Sequence, residues 1–254
     1  MSSPKEDYSD ERLSRELRDA AFEGKRLNDF EWQRLFRDIS KVSSFERACA
    51  LKAQMYLLKG DFNFARSEVN KLLSMNNVEA VSVSNVCNFL HLYGLPLEAV
   101  SVANQAVTKF SSPGIYTNAL HFNSYYLRDI EFLSAWDKFT PVREHCDSGL
   151  LAEADEAYQG YVFIHRLSEK KGFSIDNARE MLDEALRLPK LVRDSSRPKV
   201  ASFSECPDSS QLIIVVGVHD IDAEELVEAS SLLCNSLVEM DEFEPNIVIS
   251  YLME

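Results

Sequence analysis

The sequence predicts a mainly α protein: antiparallel helical hairpins in a row, followed by a small acidic α+β unit. Three observations carry this. Only 8 Gly and 8 Pro occur in 254 residues, roughly half the usual shares of about 7% and 5%, which argues against a turn-dense β fold. Small and apolar residues recur 34 positions apart, as at Gly60 and Gly94. Charge is also uneven: residues 201–254 contain 12 acidic residues and no Lys or Arg, and so supply almost all of the formal net charge of −14. That break coincides with the helix-breaking run Ser195-Ser196-Arg197-Pro198. It divides the chain into an N-terminal helical cap (1–44), helical repeats (45–197) and an acidic domain (198–254).

In the cap, Leu13, Leu17, Ala20 and Ala21, then Phe30, Leu35, Phe36 and Ile39, fall at helical spacing and predict one hairpin. Next come Cys49, Ala53, Tyr56, Gly60-Asp61-Phe62, Ala65 and Leu72; 34 residues on stand Cys87, Leu90, Gly94-Leu95-Pro96, Ala99 and Ala106. Such a unit reads as a helix, a turn that needs glycine, and a second helix whose small residue, Ala65 or Ala99, lets the pair cross closely. The pattern resembles the tetratricopeptide repeat family, clearly over 45–110 and more weakly over 150–190. That resemblance implies hairpins stacked into a right-handed superhelix whose first helices line a groove.

Gly172-Phe173 with Ala178 and Ala185 repeats the second-helix spacing, and predicts a third unit with a first helix over about 152–169. Between the second and third units one degenerate hairpin (113–146) and an insertion must fit, and there the turn position falls on Arg128 instead of glycine. Tyr116, Phe122, Tyr125 and Tyr126 make its first helix aromatic; two tyrosines in succession cannot both face inward.

After Pro207-Asp208-Ser209-Ser210 the period changes. Leu212–Val218 is rich in β-branched residues and predicts a buried strand. Asp222 and Glu225 form a capping-box pattern ahead of a helix of about 18 residues with Leu226, Ala229, Leu233 and Leu237 on one side. Residues 246–251 predict a last strand and 199–203 a further one, giving β-β-α-β packed on the last hairpin or on a partner chain.

Apolar residues form 45% and charged residues 27% of the chain, which suits a folded core and excludes wholesale disorder. An acidic chain disfavours nucleic acid, which is bound by neutralising phosphates. A polar start without an apolar leader, and no apolar run long enough to span a bilayer, predict a cytosolic protein without membrane insertion. The five scattered cysteines (49, 87, 146, 206, 234) suggest reduced, mostly buried thiols and no zinc site.

No P-loop, dinucleotide fingerprint, nucleophile elbow or HExxH helix occurs, so no enzymatic activity, cofactor or metal is expected. His145-Cys146-Asp147 lacks a third group and reads as a helix end. His219-Asp220 follows a strand end, but Asp222 beside it reads as a cap.

The expected role is a non-enzymatic interaction scaffold or adaptor. From the resemblance, the groove places Arg47, Ala50, Gln54 and Leu57 beside Ser84, Asn85, Asn88 and His91, whose amides can hydrogen-bond an extended segment. The lysine-based carboxylate clamp of chaperone-binding members has no counterpart, because Ala50 and Gln54 occupy its first-helix positions. Asp220, Asp222, Glu224, Glu225 and Glu228, with Glu239, Asp241, Glu242 and Glu244, offer an acidic surface to a basic second partner. The alternative is an immunity- or antitoxin-like inhibitor that neutralises a basic protein through that surface. A free sheet edge also allows a homo-oligomer.

Overall fold

The computed structural model describes residues 4–23, 27–207, 209, 211–240 and 243–254, without the side chains of residues 4–9. Helices α1 (Pro4–Phe22) and α2 (Asp29–Ile39) form the cap hairpin. Asn28 starts α2 through a capping box with Glu31. Leu13, Leu17, Leu35 and Ile39 enter the core as expected, but Phe30 and Phe36 do not, being 78% and 40% exposed. An 11-residue helix has one inward stripe, and Leu35 and Ile39 fill it. Phe36 instead stacks on Trp32 outside.

Helices α3 (Phe45–Lys59) and α4 (Phe62–Leu73) are the first clear hairpin, and α5 (Ala80–Leu92) and α6 (Pro96–Lys109) the second. Ala53, Ala65, Leu72, Cys87, Leu90, Ala99 and Ala106 are all fully buried, whereas Tyr56, Phe62 and Leu95 are half-buried against the core, so the small repeated positions are the packing positions. Helices α7 (Pro113–Tyr125) and α8 (Asp129–Phe139) form the degenerate hairpin. Its turn is built like the others despite lacking glycine. The N–H groups of Asp61, Leu95 and Arg128 each donate to a carbonyl five residues back at 2.9 Å, the bond that closes a helix through a left-handed residue. Gly60 and Gly94 supply that residue in two turns, and Leu127, with φ 54°, in the third. The buried Leu127 side chain and the packed hairpin around it hold a conformation that leucine disfavours by itself.

A 3-10 helix (Thr140–His145) takes up the insertion before the long α9 (Ser148–Lys171), the left-handed Gly172 and α10 (Ile175–Val192). Helices α1, α3, α5, α7 and α9 pack successively in one layer, and α4, α6 and α8 in a second. The third unit has its predicted elements but different packing. Instead of lying along α9, α10 packs mainly on the C-terminal unit and passes the hairpin turns: Asp183 pairs with Arg128 at 2.5 Å and Lys190 lies over the Phe62 ring. The fold is thus mainly α, a helical-repeat architecture with an appended sheet.

The C-terminal unit follows the predicted order: β1 (Arg197–Glu205), β2 (Leu212–His219), α11 (Ala223–Glu239) and β3 (Ile247–Met253). The sheet order is β1-β2-β3, with β1 antiparallel and β3 parallel to β2, so β1 and β3 are its edges. Leu212, Ile214, Val216 and Val218 are fully buried. The Tyr251 hydroxyl donates to the Ala185 carbonyl and Ser236 to Glu184, both at 2.7 Å, tying β3 and α11 to α10. The chain entering β1 presses on the second turn: a Cβ built on Gly94 would lie 2.5 Å from Arg197 Cα. Among the described residues no helix is long and apolar enough to cross a membrane.

Candidate functional site

The five groove residues do not share one surface. Arg47, Gln54 and Asn85 line a cavity of about 390 Å³ between α1, α3 and α5. Asn88 and His91 line another, of about 310 Å³, between α5, α7 and β1. Three-residue steps along α5 rotate away from the α1–α3 side, and the sheet then covers the α7 end of the layer. Leu57 is fully buried and forms no part of a groove surface.

In the first cavity, Arg47 makes a forked contact with Glu79 at 3.1–3.2 Å and lies 3.6 Å from Asp10, so it is held in place by carboxylates from α1 and the start of α5. Gln54 is only 1% exposed, contrary to an open amide at the groove surface, and its buried Oε1 has no hydrogen-bond partner. An unpaired buried acceptor costs roughly 1–3 kcal/mol, so it marks either strain or a place for a donor. Asn85 is half-buried at the same cavity.

In the second cavity the Tyr126 hydroxyl lies 2.8 Å from His91 Nδ1 and accepts from the Val200 backbone N–H. Its own proton is therefore free to donate to a neutral His91 ring. Tyr126 is fully buried while Tyr125 is half-buried, which answers the inward-facing question raised by their adjacency. Burial first, then Lys199 and His121, lowers the His91 pKa to about 4, against a smaller opposing pull from Glu254.

A stability prediction follows from this shift. Between pH 6.5 and about 4 the unfolded chain binds a proton at residue 91 that the folded chain refuses, so stability falls as pH drops through that window and is unaffected above it. The loss should reach about 2 kcal/mol near pH 4, below the full linkage value because the ring keeps some solvent contact. Urea midpoints at pH 7, 5.5 and 4 for the parent and His91→Asn check it; an identical pH slope in the variant would exclude His91 as the source.

The acidic surface is also divided. Asp222 and Glu225 close the capping box of α11, and Glu225 receives Arg193 at 2.9 Å. Asp220 pairs with Arg197 at 2.7 Å, Glu205 with Lys170 at 2.8 Å, and Glu254 with Lys199 at 3.0 Å and His219 at 2.7 Å. Glu244 accepts from the Ser174 N–H and the Asn177 amide. Glu205, Glu225 and Glu244 thus meet Lys170, Arg193, Ser174 and Asn177 and attach the unit to the helices, whereas Asp220 and Glu254 are neutralised within the unit by Arg197 and Lys199 of β1. Glu224 and Glu228 stay exposed on α11; Asp241 and Glu242 lie outside the described residues.

The His145-Cys146-Asp147 run makes local contacts. Asp147 caps α9 by accepting from the Gly149 and Leu150 N–H groups, Cys146 Sγ donates to the Val142 carbonyl, and His145 is exposed. Only Cys49 and Cys87 are buried, with thiols pushed up to about 11 and about 12 chiefly by burial; Cys146 and Cys206 are half-buried and Cys234 is exposed. The expectation of mostly buried cysteines is corrected accordingly, because α11 has only a narrow inward stripe, filled by Ala229, Leu233 and Leu237. Among the described residues no His, Cys, Asp and Glu side chains are grouped to hold a metal ion.

The fold and these cavities define a helical-repeat protein with an α/β unit docked over one end of its first-helix layer. Comparison with family models, curated proteins and solved structures finds no match. The likeness to tetratricopeptide hairpins therefore rests on the period, the turns and the buried small residues.

Proposed function

We propose that this protein is a cytoplasmic, non-enzymatic interaction scaffold that holds a segment of a partner protein in the cavity between α1, α3 and α5. The single observation that carries this reading is the buried Gln54 Oε1, left without a partner in a cavity also lined by Arg47 and Asn85. A backbone N–H of an extended segment would satisfy it, and Asn85 can donate or accept beside it. The docked sheet supports the α7 end of the layer, so Asn88 and His91 act in scaffold assembly in this reading.

The test separates stability from binding. Gln54→Leu should raise stability by about 1–2 kcal/mol, since it removes an unpaired acceptor, while weakening capture of the partner at least tenfold. A photocrosslinking residue at position 85 should trap that partner from cells, with mass spectrometry identifying the crosslinked segment, and the trap should fail in the Gln54→Leu background. A destabilised Gln54→Leu, or a partner that crosslinks equally well in that background, would sink the groove reading.

A second reading rests on the exposed Glu224 and Glu228 in a segment without any Lys or Arg: the acidic unit docks a basic partner, as an adaptor arm or a neutralising inhibitor. Glu224→Lys with Glu228→Lys should then abolish a salt-sensitive complex and leave crosslinking at position 85 unchanged.

A further inference from the structure

We propose that the α1–α3–α5 cavity recognises a phosphorylated segment, its phosphate monoester held by Arg15 and Arg18 and an adjacent N–H given to Gln54. This deepens the scaffold reading and rests on it. Arg15 and Arg18 line the same cavity as Arg47, yet unlike Arg47 neither makes an ion pair or hydrogen bond among the described residues. Standing three residues apart on α1, they are neighbours about 5–6 Å apart on one helix face. They can therefore address one group together.

The site also contains carboxylates, and their placement matters. Asp10 is buried and set against Arg47, so that pair is largely self-compensating. Glu11 stands one turn before Arg15 but within no ion-pair distance of it. Two guanidinium groups are thus left without an ion pair among the described residues, in a cavity that also holds a buried acceptor lacking a donor. A ligand complementary to both must combine several anionic oxygens with a nearby N–H. A phosphate monoester offers three acceptor oxygens to arginine forks where a carboxylate offers two, and the backbone N–H of a phosphorylated residue or its neighbour supplies the donor. The overall negative charge of the protein makes such selectivity local: without those arginines an anionic segment would be repelled.

The experiment uses the full chain, isotope-labelled and titrated with the peptide Ala-Gly-phosphoserine-Gly-Ala, with its unphosphorylated and Asp-substituted versions, and with inorganic phosphate. NMR should show saturable shifts at the Arg15 and Arg18 Nε–Hε groups and at the Asn85 side-chain amide. The phosphopeptide should bind at least tenfold more tightly than the serine peptide and more tightly than the Asp peptide. Raising salt from 0.1 M to 0.5 M, which shortens the Debye length from about 10 Å to about 4 Å, should weaken it. Arg15→Ala with Arg18→Ala should lose that tenfold advantage; both residues are exposed, so unchanged circular dichroism and melting are expected to accompany the loss. Gln54→Leu should lose affinity for the peptide while leaving inorganic phosphate binding intact. Equal binding of the serine and phosphoserine peptides, equal binding of the Asp peptide, or phosphopeptide binding indifferent to the arginine replacements would overturn the proposal. A partner trapped at position 85 in the same arginine variant would show that the scaffold reading stands while the phosphate assignment falls.

Discussion

Gly94→Ala is expected to lower stability by about 3 kcal/mol, whereas Gly60→Ala, the same change one repeat earlier, costs only about 1. Both glycines are left-handed, with φ 67° and 82°, so both variants meet the backbone penalty of roughly 1–2 kcal/mol for an L-residue there. Their surroundings differ. Nothing lies within 4 Å of a Cβ at residue 60, while at residue 94 the new atom would stand 2.5 Å from Arg197 Cα and 3.2 Å from its carbonyl carbon. A backbone neighbour cannot rotate away, so the start of β1 must move, adding an overpacking cost of roughly 1–3 kcal/mol. Chemical denaturation of both variants checks this, and amide exchange should show the Gly94→Ala damage spreading into β1. Equal losses at the two glycines would mean that β1 is not pressed on the turn.

Phe132→Ala is expected to cost about 3–5 kcal/mol, the range for emptying a buried aromatic site. Phe132 is fully buried on α8 and stacks on Tyr161 of α9, with ring centroids 4.3 Å apart and planes 6° from parallel. Trp136 and Tyr158 continue the stack at 4.5 Å. This aromatic ladder joins α8 to α9, beside the packing of α7 on α9. Calorimetry or urea unfolding measures the loss. Phe132→Leu should recover part of it; a loss below 1 kcal/mol would show that the site collapses and that the ladder contributes little.

The candidate site was legible in its parts and not in its grouping. Arg47, Gln54 and Asn85 could be placed on first helices from the period, and they do meet in one cavity. Arg15 and Arg18 carried no sequence signal beyond lying on the cap helix, because their nearness to Gln54 depends on how α1 lies against α3. Asn88 and His91 shared the predicted face of α5, yet they line a separate cavity that β1 borders. Phe30 and Phe36 had helical spacing on the cap and still face outward, since hydrophobic periodicity marks a face without saying how much of it a short helix can bury.

By itself the sequence determined the local elements: paired helices from a 34-residue period, left-handed turns at Gly60, Gly94 and Gly172, the α11 capping box, and the β-β-α-β order. Each is set within a few residues, by backbone conformation, capping hydrogen bonds and apolar alternation. Only the tertiary structure decided that Leu127 adopts the glycine conformation, that α10 leaves α9 for the sheet, and that the acidic unit is attached to the helices by ion pairs with Lys170 and Arg193. Those outcomes depend on contacts between residues up to about a hundred positions apart, such as Arg197 with the Leu92 carbonyl. Burial there outweighs local preference, and no local pattern records it.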